Sequence, residues 1–188
     1  AAAATPSIIV TADPLPPPPA PARLVVSSVR IDAHRPLAAA KTAQFLPYLL
    51  ARAEARNAGF DDALLLNHDG AVVEAATANV FVRFGDTLVT PRIEDGPLPG
   101  VTRAVFIEIA RGQRVRVEER TVTLDDVYTS DEMLTTASVS GIVTVASLAT
   151  SIPGSPVKHW GIGPADGSDL VPQLVQLYQR TLGEHLTS

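Results

Sequence analysis

Lysine is scarce in this chain of 188 residues, and one of its two lysines, Lys41, heads a series of segments whose residue types could act together. Lys41-Thr-Ala-Gln-Phe-Leu-Pro-Tyr-Leu-Leu-Ala-Arg-Ala-Glu54-Ala is followed by Asn67-His-Asp-Gly70-Ala-Val-Val-Glu74-Ala-Ala-Thr-Ala-Asn79-Val-Phe81, then by Thr90-Pro91 and Leu98-Pro-Gly100-Val101-Thr102-Arg103. A lysine amine can form an imine with an aldehyde. A carboxylate can face a cationic ring nitrogen. A helix start can hold a phosphate. Those are the three groups needed to hold pyridoxal phosphate.

Each residue also has a plainer reading. Taken alone, Lys41 is a solvated lysine near a helix start; desolvated among its small and apolar neighbours, it would become nucleophilic near neutral pH. The other lysine, Lys158, sits in Pro-Val-Lys-His-Trp-Gly, a loop-like setting that suggests exposure. Glu74 ends the apolar run Ala71-Val-Val, either as a surface strand-end residue or as a carboxylate that keeps a pyridine nitrogen protonated. Small residues at Ala75, Ala76 and Ala78 would leave room for a flat ring. Gly100-Val101-Thr102 opens a helix whose free amides suit phosphate, although Thr102 could simply satisfy its own backbone. Thr135-Thr-Ala-Ser138-Val-Ser140-Gly141 is a hydroxyl-rich turn that could add donors or satisfy itself.

The elements that must position these groups alternate along the chain. A strand is expected over 23–31, a helix over 42–58 ended by Gly59, and short strands over 63–66, 71–74, 80–84 and 87–89. A helix over 101–111, strands over 114–120, 133–136 and 142–147, and a short helix over 124–128 follow. The last helix, 169–185, places Leu170, Leu174, Leu177 and Leu182 on or near one face. Ser7–Val10 is a further short strand candidate. Between it and residue 23, Pro14–Pro21 holds six prolines in eight residues, an extended segment that reads as an interdomain linker or as a disordered tail. The few residues ahead of it suggest a missing N-terminal domain.

Composition narrows the classes. Apolar residues make up 46% and charged residues 19%, values of a globular chain. A net charge of -5 argues against a general nucleic-acid binder. The absence of cysteine excludes disulfides and thiolate metal sites. The four histidines, His34, His68, His159 and His185, show no metal-ligand spacing, so no metal is expected. No apolar run is long enough for a membrane span, and cytoplasm is the default compartment.

In their order and spacing, Lys41, Glu54-Ala55, Gly70, Glu74, Asn79-Val-Phe81, Thr90-Pro91 and Gly100-Val-Thr-Arg103 resemble the class IV pyridoxal-phosphate enzymes. That family includes branched-chain and D-amino-acid aminotransferases and 4-amino-4-deoxychorismate lyase. The resemblance runs from about Arg23 to the C-terminus. It implies the large C-terminal α/β domain of that fold, a curved, barrel-like sheet with flanking helices, over 23–188. Residues 1–22 would be the end of a small domain and its linker, with most of the small domain missing. By the resemblance, Lys41 is the Schiff-base lysine and general acid/base, and Glu74 the partner of the ring nitrogen. Val101, Thr102 and Ser138 would hold the phosphate, and Ser138 and Val139 would lie near the substrate carboxylate.

The implied activity is transfer of an amino group between an amino acid and a 2-keto acid, in a homodimer. A lyase that eliminates pyruvate to give 4-aminobenzoate is the alternative, and a non-catalytic or partner-binding relative is a third. Two departures stand out. The small domain normally supplies a phosphate-binding arginine and part of the substrate pocket. Phe45 stands where the branched-chain enzymes usually carry a tyrosine near the cofactor. The spacing from Lys41 to Leu46, Arg23–Arg30 and Ala75–Asn79 lean towards the lyase, and Leu98–Arg103 leans towards the aminotransferases.

Overall fold

The computed structural model describes residues 9–14, 21–35, 40–150, 157–160 and 168–186. Alternating apolar patterns in the first half build strands β1 (Ala22–Ile31), β2 (Asp62–Asn67), β3 (Val72–Ala75), β4 (Asn79–Phe84) and β5 (Thr87–Pro91), with helix α1 (Leu46–Asn57) between the first two. A single 3-10 turn, Ile93–Asp95, leads to α2 (Val101–Gly112). Then come β6 (Arg116–Arg120), α3 (Leu124–Thr129), β7 (Glu132–Ala137), β8 (Gly141–Thr150), β9 (Lys158–His159) and α4 (Leu170–Leu186).

The strands form one sheet in the order β3-β2-β1-β8-β7-β4-β5-β6, with β9 added to β8. It curls strongly. Val72 on the first strand of that order donates its N–H to Val122 O, just past the last strand, at 2.7 Å. Inside the curl lie Leu24, Val26, Leu64, Leu66, Val72, Val80, Val82, Met133 and Val143, which alternate along their strands. The outer surface carries the helices. α1 packs Ala51 and Ala55 against Val25, Ala63, Leu65 and Val73. α2 and α4 pack Phe106, Ile107, Ala110, Val171 and Leu174 against Phe81, Leu88 and Leu134. Phe81 and Phe106 meet edge to face with centroids 5.2 Å apart. This is the curved α/β sheet with flanking helices expected from the resemblance.

Several local expectations are corrected. α1 begins at Leu46, not Thr42, because Pro47 fits the first turn but has no N–H to donate further inside a helix. Lys41 therefore lies in an irregular, exposed stretch ahead of the helix. The strand expected from Arg114 begins at Arg116, since Arg114 takes a left-handed turn conformation (φ 62°). Lys158 is not in a loop: it pairs with Leu148 in β9, is half-buried, and its amine lies 5.6 Å from the Trp160 ring centroid. α4 buries Val171, Leu174 and Tyr178, while Leu182 is exposed, so its inner face is rotated from the one the leucines suggested. Of the Ser7–Val10 strand candidate, residues 9–10 are irregular and residues 7–8 lie outside the described residues, as do 15–20 of the proline run.

Candidate functional site

Glu74 is the centre of the site. It is the last but one residue of β3, pairs with Leu65 on the face that α1 covers, and is only 3 % exposed. Three neutral donors reach it from three elements. The Tyr48 hydroxyl (α1) donates to Oε1 at 2.9 Å. Asn79 Nδ2 (β4) and the Leu98 N–H donate to Oε2 at 3.0 and 3.2 Å. Burial pushes the Glu74 carboxyl up to about 7, against the lowering effects of Tyr48, the Leu98 amide and the charges of Arg35 and Lys41. A buried acid shifted by desolvation and by specific charge partners is a common feature of a functional site. Lys41, though exposed, is near enough for its charge to act on this carboxyl.

Asn79 links Glu74 to the start of α2. Its Nδ2 also donates to Leu98 O at 2.9 Å, which ties the Leu98–Gly100 segment across the end of the sheet. A Cβ at Gly100 would overlap Asn79 Oδ1, so glycine is required there by space. Gly100 is the N-cap of α2, and no side chain caps this helix. The first-turn amides are thus uncapped beside Val101, which is 75 % exposed, while Thr102 is buried. Arg103 anchors the same turn from below: its Nη2 donates to Pro91 O and to Glu119 Oε2, both at 3.0 Å. Burial alone would raise Glu119, but hydrogen bonds and charges from Arg103 and Arg111 hold it below the usual carboxylate range.

The β7–β8 turn joins the group through strand register. Asn79 pairs with Thr136, which sets Ser138 and Val139, both exposed, two and three residues beyond the start of β4. Thr136 is buried, and its Oγ1 has no hydrogen-bond partner among the described residues. A buried hydroxyl without a partner is unusual and leaves a donor for something else.

Of the residues singled out from the sequence, Glu74 bonds Asn79, Val101 and Thr102 follow the Gly100 that packs on Asn79, Lys41 acts on Glu74 by charge, and the Ser138–Val139 turn lies just beyond the Thr136 that pairs with Asn79. Tyr48 and Arg35 were missed. Arg35 Nη2 donates to the Tyr48 oxygen at 3.1 Å. Phe45, which stands at the tyrosine position of the resemblance, is 47 % exposed, and the hydroxyl reaching Glu74 comes instead from Tyr48, three residues on. Its signal was a lone tyrosine in the first turns of a helix that begins just after Lys41. The remaining pattern residues are structural: Glu54 binds Ser27 and the Ser28 N–H on β1, and Gly70 takes φ 84° in the β2–β3 turn. Among the described residues no group of three or more His, Asp or Glu could hold a metal, and no helix is long and apolar enough to cross a membrane.

The family model for class IV amino-transferases matches residues 1–148, and the chain belongs to that family. A protein named "Putative branched-chain-amino-acid aminotransferase" from Methanocaldococcus jannaschii is 37% identical over 126 residues, 65% of this chain and 43% of that protein. The branched-chain aminotransferase of Thermoproteus uzoniensis, solved with norvaline, superposes with TM-score 0.75 at 28% identity, covering 86% of this chain and 51% of its own. A protein named "Putative 4-amino-4-deoxychorismate lyase" from Legionella pneumophila superposes with TM-score 0.72 at 31% identity, covering 83% of this chain and 56% of its own. The chain spans about half the length of the relatives it matches.

Proposed function

We propose that this chain is the cofactor-holding part of a pyridoxal-phosphate-dependent aminotransferase acting on an amino acid and a 2-keto acid. In this reading residues 23–188 form the large domain, residues 1–22 lead into it from a small domain, and the active protein is a homodimer. The observation that carries the reading is Glu74: a buried carboxyl that accepts from three neutral donors and is held at about 7 by burial, with the charges of Arg35 and Lys41 acting on it. A cationic ring nitrogen supplies the charge that this carboxyl lacks.

The residues present fit the cofactor. The uncapped α2 amides at Val101 and Thr102 suit a phosphate, and Ser138 adds a hydroxyl from the neighbouring turn. Lys41 is the lysine to which the cofactor would be joined. Pyridoxal phosphate, when bound, serves as the sink for the electron pair left as the substrate loses its α-proton. Lys41 takes that proton from the substrate Cα and returns one. Glu74 keeps the proton on the ring nitrogen. Ser138 and Val139 orient the substrate carboxylate.

The test is transfer of an amino group from an amino acid to an added 2-keto acid by the intact protein, followed by product chromatography. Wild type should turn over and Lys41→Ala should not; equal rates in both would remove Lys41 from the chemistry. The likeness to the Legionella protein named as a lyase favours a second reading, elimination of pyruvate from aminodeoxychorismate. Aromatic product formed with no keto acid added would select it.

A further inference from the structure

The Glu74 carboxylate has a support that neither the pattern of the family resemblance nor the roles above include. Arg35 follows β1, and four hydrogen bonds to three acceptors hold its guanidinium. Nη1 donates to Asp32 O at 2.9 Å and to Gly96 O at 3.5 Å. Nη2 donates to Gly96 O at 3.4 Å and to the Tyr48 oxygen at 3.1 Å. Gly96 itself takes φ 112° and packs so closely that a Cβ there would come 3.1 Å from Ala33 Cα, which holds the two loops together.

A guanidinium has donors and no acceptor. The Tyr48 oxygen must therefore receive from Arg35, and its single hydrogen goes to Glu74 Oε1 at 2.9 Å. The hydroxyl has no freedom to turn towards a substrate. Its proton is also held hard: burial and the Glu74 charge push the Tyr48 hydroxyl well above the usual tyrosine range, against a lowering effect of Arg35.

We propose that Tyr48 and Arg35 are positioning residues that act through Glu74: Arg35 orients the Tyr48 hydroxyl, and Tyr48 commits its hydrogen to Glu74 Oε1, keeping that carboxylate ionised and aimed. The proposal rests on Glu74 being the ring-nitrogen partner for its catalytic meaning, but not for its geometry. It also assigns Tyr48 no proton-transfer role of its own, although it lies only seven residues after Lys41. The groups that face Glu74 are Tyr48 from α1, Asn79 from β4, the Leu98 N–H ahead of α2, Arg35 after β1 and Lys41 ahead of α1. Among the described residues Tyr48 is the donor to Oε1, and Arg35 holds that donor in place, so these two should shift the carboxyl when changed.

The experiment is a carbon-13 NMR titration of glutamate side-chain carboxyls in the intact protein without added cofactor. Glu74 is assigned as the resonance missing from Glu74→Gln. Tyr48→Phe should raise the Glu74 midpoint by about one pH unit, the effect of losing one hydrogen bond to a carboxylate. Arg35→Met should raise it as well, and Arg35→Lys, which keeps the charge, should recover part of that shift. An unchanged midpoint in Arg35→Met overturns the proposal, even if Tyr48→Phe does not fold; an unchanged midpoint in a folded Tyr48→Phe does so too. The cofactor reading is read separately, from pyridoxal-phosphate absorbance in wild type and Glu74→Gln. Loss of binding in wild type would sink that reading and leave the relay standing.

Discussion

Replacing Glu74 by glutamine should remove a pH dependence of stability that the wild-type chain carries between pH 4.5 and 8. The carboxyl stands at about 7 in the fold and 4.5 as an ordinary side chain. Because its folded value is raised, the stabilisation tied to its neutral form is complete below 4.5 and is lost as pH rises through about 7. A shift of this size corresponds to about 3 kcal/mol. Glutamine resembles the neutral acid in shape and does not titrate, so Glu74→Gln should lack this slope. Asp62 is also raised, chiefly by burial, and adds a slope of the same sign, but it is present in both proteins and cancels in the difference. Urea unfolding of both cofactor-free proteins at a series of pH values from 4.5 to 8 gives that difference directly. Wild type should lose about 3 kcal/mol relative to the variant across the range. Two curves that run parallel would show that Glu74 does not titrate within it, and the account of a charge-starved buried carboxyl would fail.

Three further outcomes follow from particular contacts. Gly100→Ala forces a Cβ into Asn79 Oδ1, so Asn79 must turn and release Glu74 and Leu98; a loss of about 1–3 kcal/mol in unfolding experiments is expected, with weaker cofactor binding, and an unaltered protein would contradict the fit. Arg83, fully buried, pairs with Glu132 and donates to Gly85 O; Arg83→Leu should cost about 3 kcal/mol by removing the buried ion pair and that hydrogen bond, seen as a large fall in the thermal midpoint. Asp126 forms a capping box with Thr123 at the start of α3 and is held at about 2, first of all by Arg120. Asp126→Ala should cost about 1 kcal/mol at neutral pH, and the difference from wild type should vanish as pH falls through about 2, since a depressed carboxyl stabilises only while ionised.

Most strands could be placed along the chain because each buries one or both faces in a regular way, and the period of two survives in Leu24–Val26, Leu64–Leu66 and Val80–Val82; their order in the sheet could not be read from it. The features that depend on tertiary contact could not. β9 is two residues long and exists because it pairs with β8. The inner face of α4 is set by Val171 and Tyr178, which a search for leucines passes over. At the site, Glu74 stood out as a lone acid in an apolar run, and Gly100-Val-Thr as a helix start with little to cap it. Tyr48 and Arg35 escaped notice because their meaning lies in a bond between segments that are 13 residues apart, and in another that reaches 26 residues on to Glu74. Residue type alone gives no hint of either.

The central claim is that Lys41 carries the cofactor. The most direct test is to incubate the intact protein with pyridoxal phosphate, reduce with borohydride, and map the modified peptide by mass spectrometry. The account predicts a phosphopyridoxyl group on Lys41, absent from Lys41→Ala, and none on Lys158, whose amine lies over Trp160. No adduct, or an adduct on Lys158 alone, would contradict it.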